Sequence, residues 1–219
     1  MPKSADAFCP DRSLVTVGIP ALVLLMALAN LAGAEPAIDA RVPILAPGDP
    51  ALPIELNAAF SEFDRPNNRL IFRNLNIVQG ALAIQADEAT AAPADFENSV
   101  WIFTGNVTIS NAGTTATCDR AELTFLRNRL RKAALSGQPA HFTQAETAGK
   151  SATEGRGKVL MYDLDAATIV MTNDAFLSDG QNEISGSRIA YDLKREVVTA
   201  GAGDSGQVHM RIVPPPKSK

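Results

Sequence analysis

The stretch Ala116-Thr117-Cys118-Asp119-Arg120-Ala121-Glu122-Leu123 decides how this chain folds. Its small and apolar residues fall at 116, 118, 121 and 123, so a period of two starts, breaks, and resumes one residue late. Alternation at period two marks a strand with one buried face. The change of parity would throw the later side chains to the other face unless the strand bends or bulges between 118 and 121. A small residue such as Cys118 at the break suits a corner where backbones approach closely.

The pattern recurs in Ile54-Glu55-Leu56-Asn57-Ala58, Leu82-Ala83-Ile84-Gln85-Ala86, Gly155-Arg156-Gly157-Lys158-Val159-Leu160-Met161-Tyr162 and Ile184-Ser185-Gly186-Ser187-Arg188-Ile189-Ala190-Tyr191. The small positions are 58, 86, 118, 157 and 186, which makes this an internal repeat. A second element follows each of the first four, with Phe72, Phe103, Leu135 and Met171 in corresponding places. Polar pairs with turn chemistry come next, then short runs such as Leu75-Asn76-Ile77 and Val107-Thr108-Ile109. Asn67-Asn68, Asn98-Ser99 and Asn128-Arg129 read as turns between the two elements. No stretch after residue 35 keeps an apolar stripe at helical spacing for three turns. Bent strands repeated in this way predict an all-β protein, a folded sheet of jelly-roll or solenoid type around an apolar interior. The ends of such a stack are open edges, each a template for another chain's strand.

Residues 1–34 read as a secretory signal peptide: Lys3 and Arg12, an apolar run through Ala29, and the small-x-small end Ala32-Gly33-Ala34. The alternative is a retained anchor, since Leu14 to Ala34 is just long enough to cross a membrane. Residues 35–53, rich in Ala and Pro, read as an extended leader, 54–213 as the β domain and 214–219 as a tail. Cleavage would remove Cys9 and leave Cys118 as the only thiol, so no disulfide framework is expected.

The 219 residues include 46% hydrophobic side chains and a net charge of −4. That balance lacks the basic stripe of a nucleic-acid binder. Two histidines and two cysteines cannot make a His-rich metal site, and no metal or cofactor is expected.

Leu82 to Asp87, Phe103-Thr104-Gly105-Asn106-Val107-Thr108-Ile109, Gly137-Gln138-Pro139-Ala140-His141-Phe142 and Ile184 to Tyr191 together resemble the OstA-like (LptA) family of periplasmic lipopolysaccharide transport proteins. The resemblance runs from about residue 52 to 214, with an apparent extra repeat, Ile54 to Gly80, at the N-terminal end. It implies a twisted β-jelly roll, open at both ends, that shelters lipopolysaccharide acyl chains. It implies head-to-tail assembly between an LptC-like inner-membrane subunit and an LptD-like outer-membrane translocon. The groove-lining positions it implies are Leu82, Ile84, Ala86, Ala116, Leu164, Ile184 and Tyr191, each of which could equally be ordinary core. The edges for self-assembly or partners would be Ile54 and Leu56 at one end and Val208, Met210 and Ile212 at the other.

Other motifs carry less. Gly201 to Gly206 matches G-x-G-x-x-G, yet an alternating run follows where the dinucleotide site needs a helix. Gly203-Asp204-Ser205-Gly206 resembles a protease nucleophile segment without a recognisable base. His141 reads as an outward position and His209 as a solvated one near the last strand. Cys118 reads as a small buried corner residue, with pairing to another molecule as the alternative. The basic run Arg127, Arg129, Arg131 and Lys132 reads as a solvated turn or as a contact for lipid phosphates. A β-helical carbohydrate-active enzyme would need paired carboxylates, and only Asp163/Asp165 and Asp192/Glu196 offer any. An anchored LptC-like subunit and a purely structural solenoid are the remaining rivals.

Overall fold

The computed structural model describes residues 52–94, 97–146, 151–195, 197–202 and 206–213. Residues 1–34, read above as a signal peptide, nearly all of the segment read as a leader, the Gly203–Ser205 part of the glycine-rich segment, Glu196 and the segment read as a tail lie outside the described residues.

The described residues form strands and turns with no helix. In chain order the strands are β1 (Glu55–Asp64), β2 (Arg69–Gln79), β3 (Leu82–Ala92), β4 (Val100–Asn111), β5 (Thr114–Leu126), β6 (Arg129–Gln144), β7 (Thr153–Asp163), β8 (Thr168–Ser178), β9 (Glu183–Asp192), β10 (Val197–Gly201) and β11 (His209–Arg211). β1 to β10 follow one another across a single antiparallel sheet, each beside its neighbour in sequence. β11 departs from this order and pairs β9. The far edge of β9 is therefore shared, with β10 along 188–192 and β11 along 183–185. Ser187 bridges the gap by donating its hydroxyl to the Gly201 carbonyl at 3.0 Å. The sheet is open, not closed into a barrel, and the fold is an open-ended β-jelly roll.

Short turns make this meander possible. Asn111 pairs Thr114 across a two-residue turn whose Ala112 and Gly113 have φ of 45° and 86°. Positive φ at both central residues gives a turn whose twist matches the flanking strands. At the longer turns an Asp carboxylate accepts backbone N–H groups: Asp163 from Ala166 (2.9 Å) and Asp192 from Lys194 and Arg195 (3.0 Å each).

The parity break is real. Leu82, Ile84 and Ala86 are buried in β3, then Ala89 and Ala91. Thr114, Ala116 and Cys118 are buried in β5, then Ala121 and Leu123. Register shifts fall at the break in every pairing from β3–β4 to β8–β9, for example between Gln85/Glu88 and Arg156/Val159. A line of bulges thus crosses the sheet and folds it, so that one face closes on itself.

Asn67-Asn68 and Asn98-Ser99 do lie between strands, but the polar residues read as turns after Phe72, Phe103 and Met171 do not end their strands. Gly105 and Asn106 (φ 75° and 49°) lie inside β4, and Asn173 and Asp174 (φ 60° and 62°) lie inside β8. Asn and Gly tolerate the left-handed backbone that also serves turns. Here flanking strands hold the chain on both sides, so the same conformation makes a corner.

On each side of the corner the registers join inward residues into rows that cross the sheet. One row runs Leu56, Ile77, Ile84, Ile109, Ala116, Phe142, Gly155, Leu177, Ile184, Met210. Its counterpart runs Phe63, Leu70, Ala91, Trp101, Leu123, Ala133, Tyr162, Ile169, Tyr191, Val198. Large residues meet small ones along both, which lets facing halves interdigitate. Phe72, Trp101 and Phe103 stack at centroid distances of 6.0 and 5.9 Å. Fully burying a side chain such as Phe103 or Phe142 contributes roughly 1.5–3 kcal/mol.

Candidate functional site: the two ends of the apolar interior

The interior is packed in its middle and opens towards its ends. Ile109, Ala116 and Phe142 are each about 1% exposed, so side chains fill the centre of their row. At the β1 end lies an apolar cavity of about 480 Å³. Leu56, Ile77, Leu82 and Ile84 line it from one half of the folded sheet, and Trp101, Phe103 and Phe125 from the other. Leu52 and Ile54 border it too, with the Gln79 amide donating to the Leu52 carbonyl at 3.2 Å. At the far end a second cavity, about 300 Å³, is lined by Phe142, Leu177, Ile184 and Met210 opposite Ile169, Met171, Tyr191 and Val198. Pockets that hold small ligands span about 300–1,000 Å³ and are mostly apolar.

Each cavity borders an edge of the sheet. Among the described residues no strand pairs the outer side of β1. Its inward residues Leu56, Ala58, Ser61 and Phe63 lack a covering strand, and Phe63 is 52% exposed. At the other end Val198, Met210 and Ile212 are exposed, Ile212 at 68%.

Of the residues singled out from sequence, Leu82 and Ile84 stand at the first cavity and Ile184 and Tyr191 at the second. Ala86 and Ala116 are buried core residues, and Leu164 packs against the core; none of these three lines either cavity. Of the edge residues, Ile54 and Leu56 border the first cavity and Met210 the second, while Val208 and Ile212 are exposed beside β11. Sequence reasoning missed Ile77, Trp101 and Phe125 at one end and Phe142, Met171 and Leu177 at the other. Hairpin register could have found some of them: the two-residue turn after Gln79 sets Ile77 opposite Ile84.

The charges near the interior are few and paired. Among the described residues that line the two cavities only Asp179 and Glu183, both at the second, are charged. Burial pushes the Asp179 carboxyl up, but hydrogen bonds from Asn182 and Gln181 outweigh it and hold the group below the usual carboxylate range. The basic run makes surface pairs: Arg131 meets Asp165 at 2.7 Å and Lys132 meets Asp163 at 3.7 Å. Those two acids, offered above as a possible catalytic pair, are engaged with cations and a turn. His141 faces outward, its Nε2 3.3 Å from Glu154, and His209 is exposed on β11. Cys118 is buried, and that burial pushes its thiol up to about 11, away from the reactive thiolate. Among the described residues no group of His, Cys, Asp and Glu could hold a metal ion.

A folded antiparallel sheet with apolar cavities at its ends and open edges defines the class, an open-ended β-jelly roll. The family model described as LptA/(LptD N-terminal domain) LPS transport protein matches residues 88–197, and the chain belongs to that family. It is 26% identical over 136 residues to the lipopolysaccharide export system protein LptH of Pseudomonas aeruginosa, across 58% of this chain and 78% of that one. It is 27% identical over 129 residues to the LptA protein of Escherichia coli K12, across 58% and 69%. A crystal structure of Pseudomonas aeruginosa LptH, described as the LptA-homologous periplasmic component of the lipopolysaccharide transport device, aligns with 77% of this chain and all of its own. The TM-score is 0.49 and the identity 21%. The role of the protein is in lipopolysaccharide transport, and the family match begins within β3, leaving β1 and β2 outside it.

Proposed function

We propose that the protein is a periplasmic carrier that holds the acyl chains of lipopolysaccharide in its apolar interior and bridges the inner and outer membranes. The observation that carries this reading is the pair of apolar cavities, each opening beside an unfinished edge of one sheet. Each acyl methylene hidden from water contributes about 0.8 kcal/mol, so a sheltered chain binds strongly without any polar contact. Leu82 and Ile84 receive chains at one end, and Ile184 and Tyr191 at the other. Ala86, Ala116 and Leu164 support the walls.

Edges that end in exposed apolar side chains favour strand addition. In this reading Ile54 and Leu56 meet Val208, Met210 and Ile212 of the next copy, giving a head-to-tail array. Its terminal copies meet an LptC-like subunit and an LptD-like translocon. Residues 1–34 direct export and are removed, and 54–213 form the working domain; a mature N-terminus at Glu35 would set aside the anchored alternative.

The test is a photo-crosslinking residue at Ile84, with exposed Lys194 as control, in cells that make lipopolysaccharide. Lipopolysaccharide adducts at 84 and none at 194 are expected. Absence of adducts at both Ile84 and Ile184 in folded, exported protein would make it a docking module instead.

A further inference from the structure

A third concavity, about 440 Å³, lies on the outer surface at the corner between β1 and β4. Its polar lining is Asn57, Asn74, Asn76, Gln85, Asp87 and Asn106. Asn57, Asn76 and Gln85 stand directly opposite one another on β1, β2 and β3, forming one outward row. Asn74 and Asn106 (φ 49° each) are corner residues of β2 and β4, and the Asn106 amide donates to the Asp87 carboxylate at 2.8 Å.

The backbone explains only part of this set. Asn74 and Asn106 occupy left-handed positions that suit Asn. Asn57 and Asn76 sit in ordinary strand positions, where Asn is depleted because its side chain competes for backbone hydrogen bonds.

From this lining we infer that the corner of β1 to β4 is a binding site for a neutral, hydroxyl-rich saccharide. The chemistry is one of matching. Each amide offers an acceptor and two donors in one plane, and a sugar hydroxyl both donates and accepts. Asp87 adds an acceptor that a hydroxyl can bond with charge assistance. Among the described residues no cation lines the concavity, which disfavours phosphate and other anions. Just beyond the row Phe60 leaves 41% of its surface exposed, with the Arg73 guanidinium over one face of its ring. Arg73, 5.0 Å from the Phe60 ring, and Glu88, 3.7 Å from Arg73, border the same corner and can bond peripheral hydroxyls.

The site is on the outside of the sheet and is independent of acyl-chain binding. The saccharide has two possible sources, the sugar portion of a lipopolysaccharide or a cell-wall glycan. Backbone amide NMR of the whole protein, titrated separately with the neutral hexose portion of the core oligosaccharide and with chitotetraose, distinguishes them. Saturable shifts at residues 57, 76, 85 and 87 with either sugar are expected, with a millimolar dissociation constant. Asn76→Ala with Gln85→Ala should weaken that binding about tenfold or more while the thermal midpoint holds. The same variants should leave lipid crosslinking at Ile84 unchanged, which separates this inference from the carrier reading. A response to the oligosaccharide alone assigns the lipid's own sugars, and one to chitotetraose alone a wall glycan. No saturable shift with either sugar, or shifts indifferent to the substitutions, overturns the inference.

Discussion

The ring of Phe142 occupies the space that a Cβ on Gly155 would need. The two residues are exact partners across β6 and β7, in the row that lines one wall of the interior. Glycine is required there by the size of its neighbour, since Gly155 itself has no unusual φ. Gly155→Ala should therefore destabilise the protein by about 1–3 kcal/mol through overpacking. Phe142→Leu should recover part of that loss when combined with it. Urea unfolding of the two single variants and the double variant gives the coupling.

Cys118 sits on the same inner surface at the corner of β5, where burial raises its thiol from 9.0 to about 11. In the unfolded chain the thiol ionises near 9.0, so stability present below that pH is lost as pH rises towards 11. Unfolding of wild type and Cys118→Ala from pH 8 to 11 should show a decline in the wild type that the variant lacks. Below pH 8 a thiol reagent should modify the folded protein far more slowly than the urea-unfolded chain.

Asp64, Asp163 and Asp179 all hold their carboxyls below the ordinary 3.8 while serving turns. The Asn67 side-chain amide does so for Asp64, and the Ala166 N–H for Asp163. A depressed folded pKa contributes stability that is complete above 3.8 and disappears as pH falls through the folded value. Thermal midpoints should accordingly fall below pH 4. Changing all three to Asn keeps an acceptor at each turn without a charge, and should flatten that part of the curve.

If the open edges mediate assembly, one charge at either end should suffice to stop it. Leu56→Lys and Met210→Asp would each bury an unpaired charge against the next copy, which is costly. Sedimentation velocity should show concentration-dependent oligomers for the wild type and monomers for each variant. Oligomers that persist in both would place the contact elsewhere.

What could be read from the chain follows from what is one-dimensional. The break of parity at Ala86, Cys118 and Gly157 is a matter of spacing, so the bends and their common line were legible. Left-handed Asn and Gly have the same chemistry in a turn and in a bulge, so Asn74, Gly105-Asn106 and Asn173-Asp174 looked like strand ends. Only pairing on both sides makes them corners. The sharing of the β9 edge by β10 and β11 left no local signal, because it depends on where the chain returns after Gly201. The same limit applies to the cavities. Ile84 and Ala116 belong to one row at one period, yet one borders open space and the other is covered. The difference lies in the bulk of their neighbours, and a row is visible in sequence only once its registers are known.

A meander in which nearly every strand touches only its predecessor and successor has a kinetic consequence. Each hairpin can dock on the one already formed as the chain becomes available, without waiting for distant segments. Length is also free to change, because adding a hairpin at an end disturbs a single neighbour. β1 and β2 precede residues 88–197, the span that the family model matches. As the terminal hairpin they form both the mouth of the interior, through Leu56 and Ile77, and the sheet's first edge.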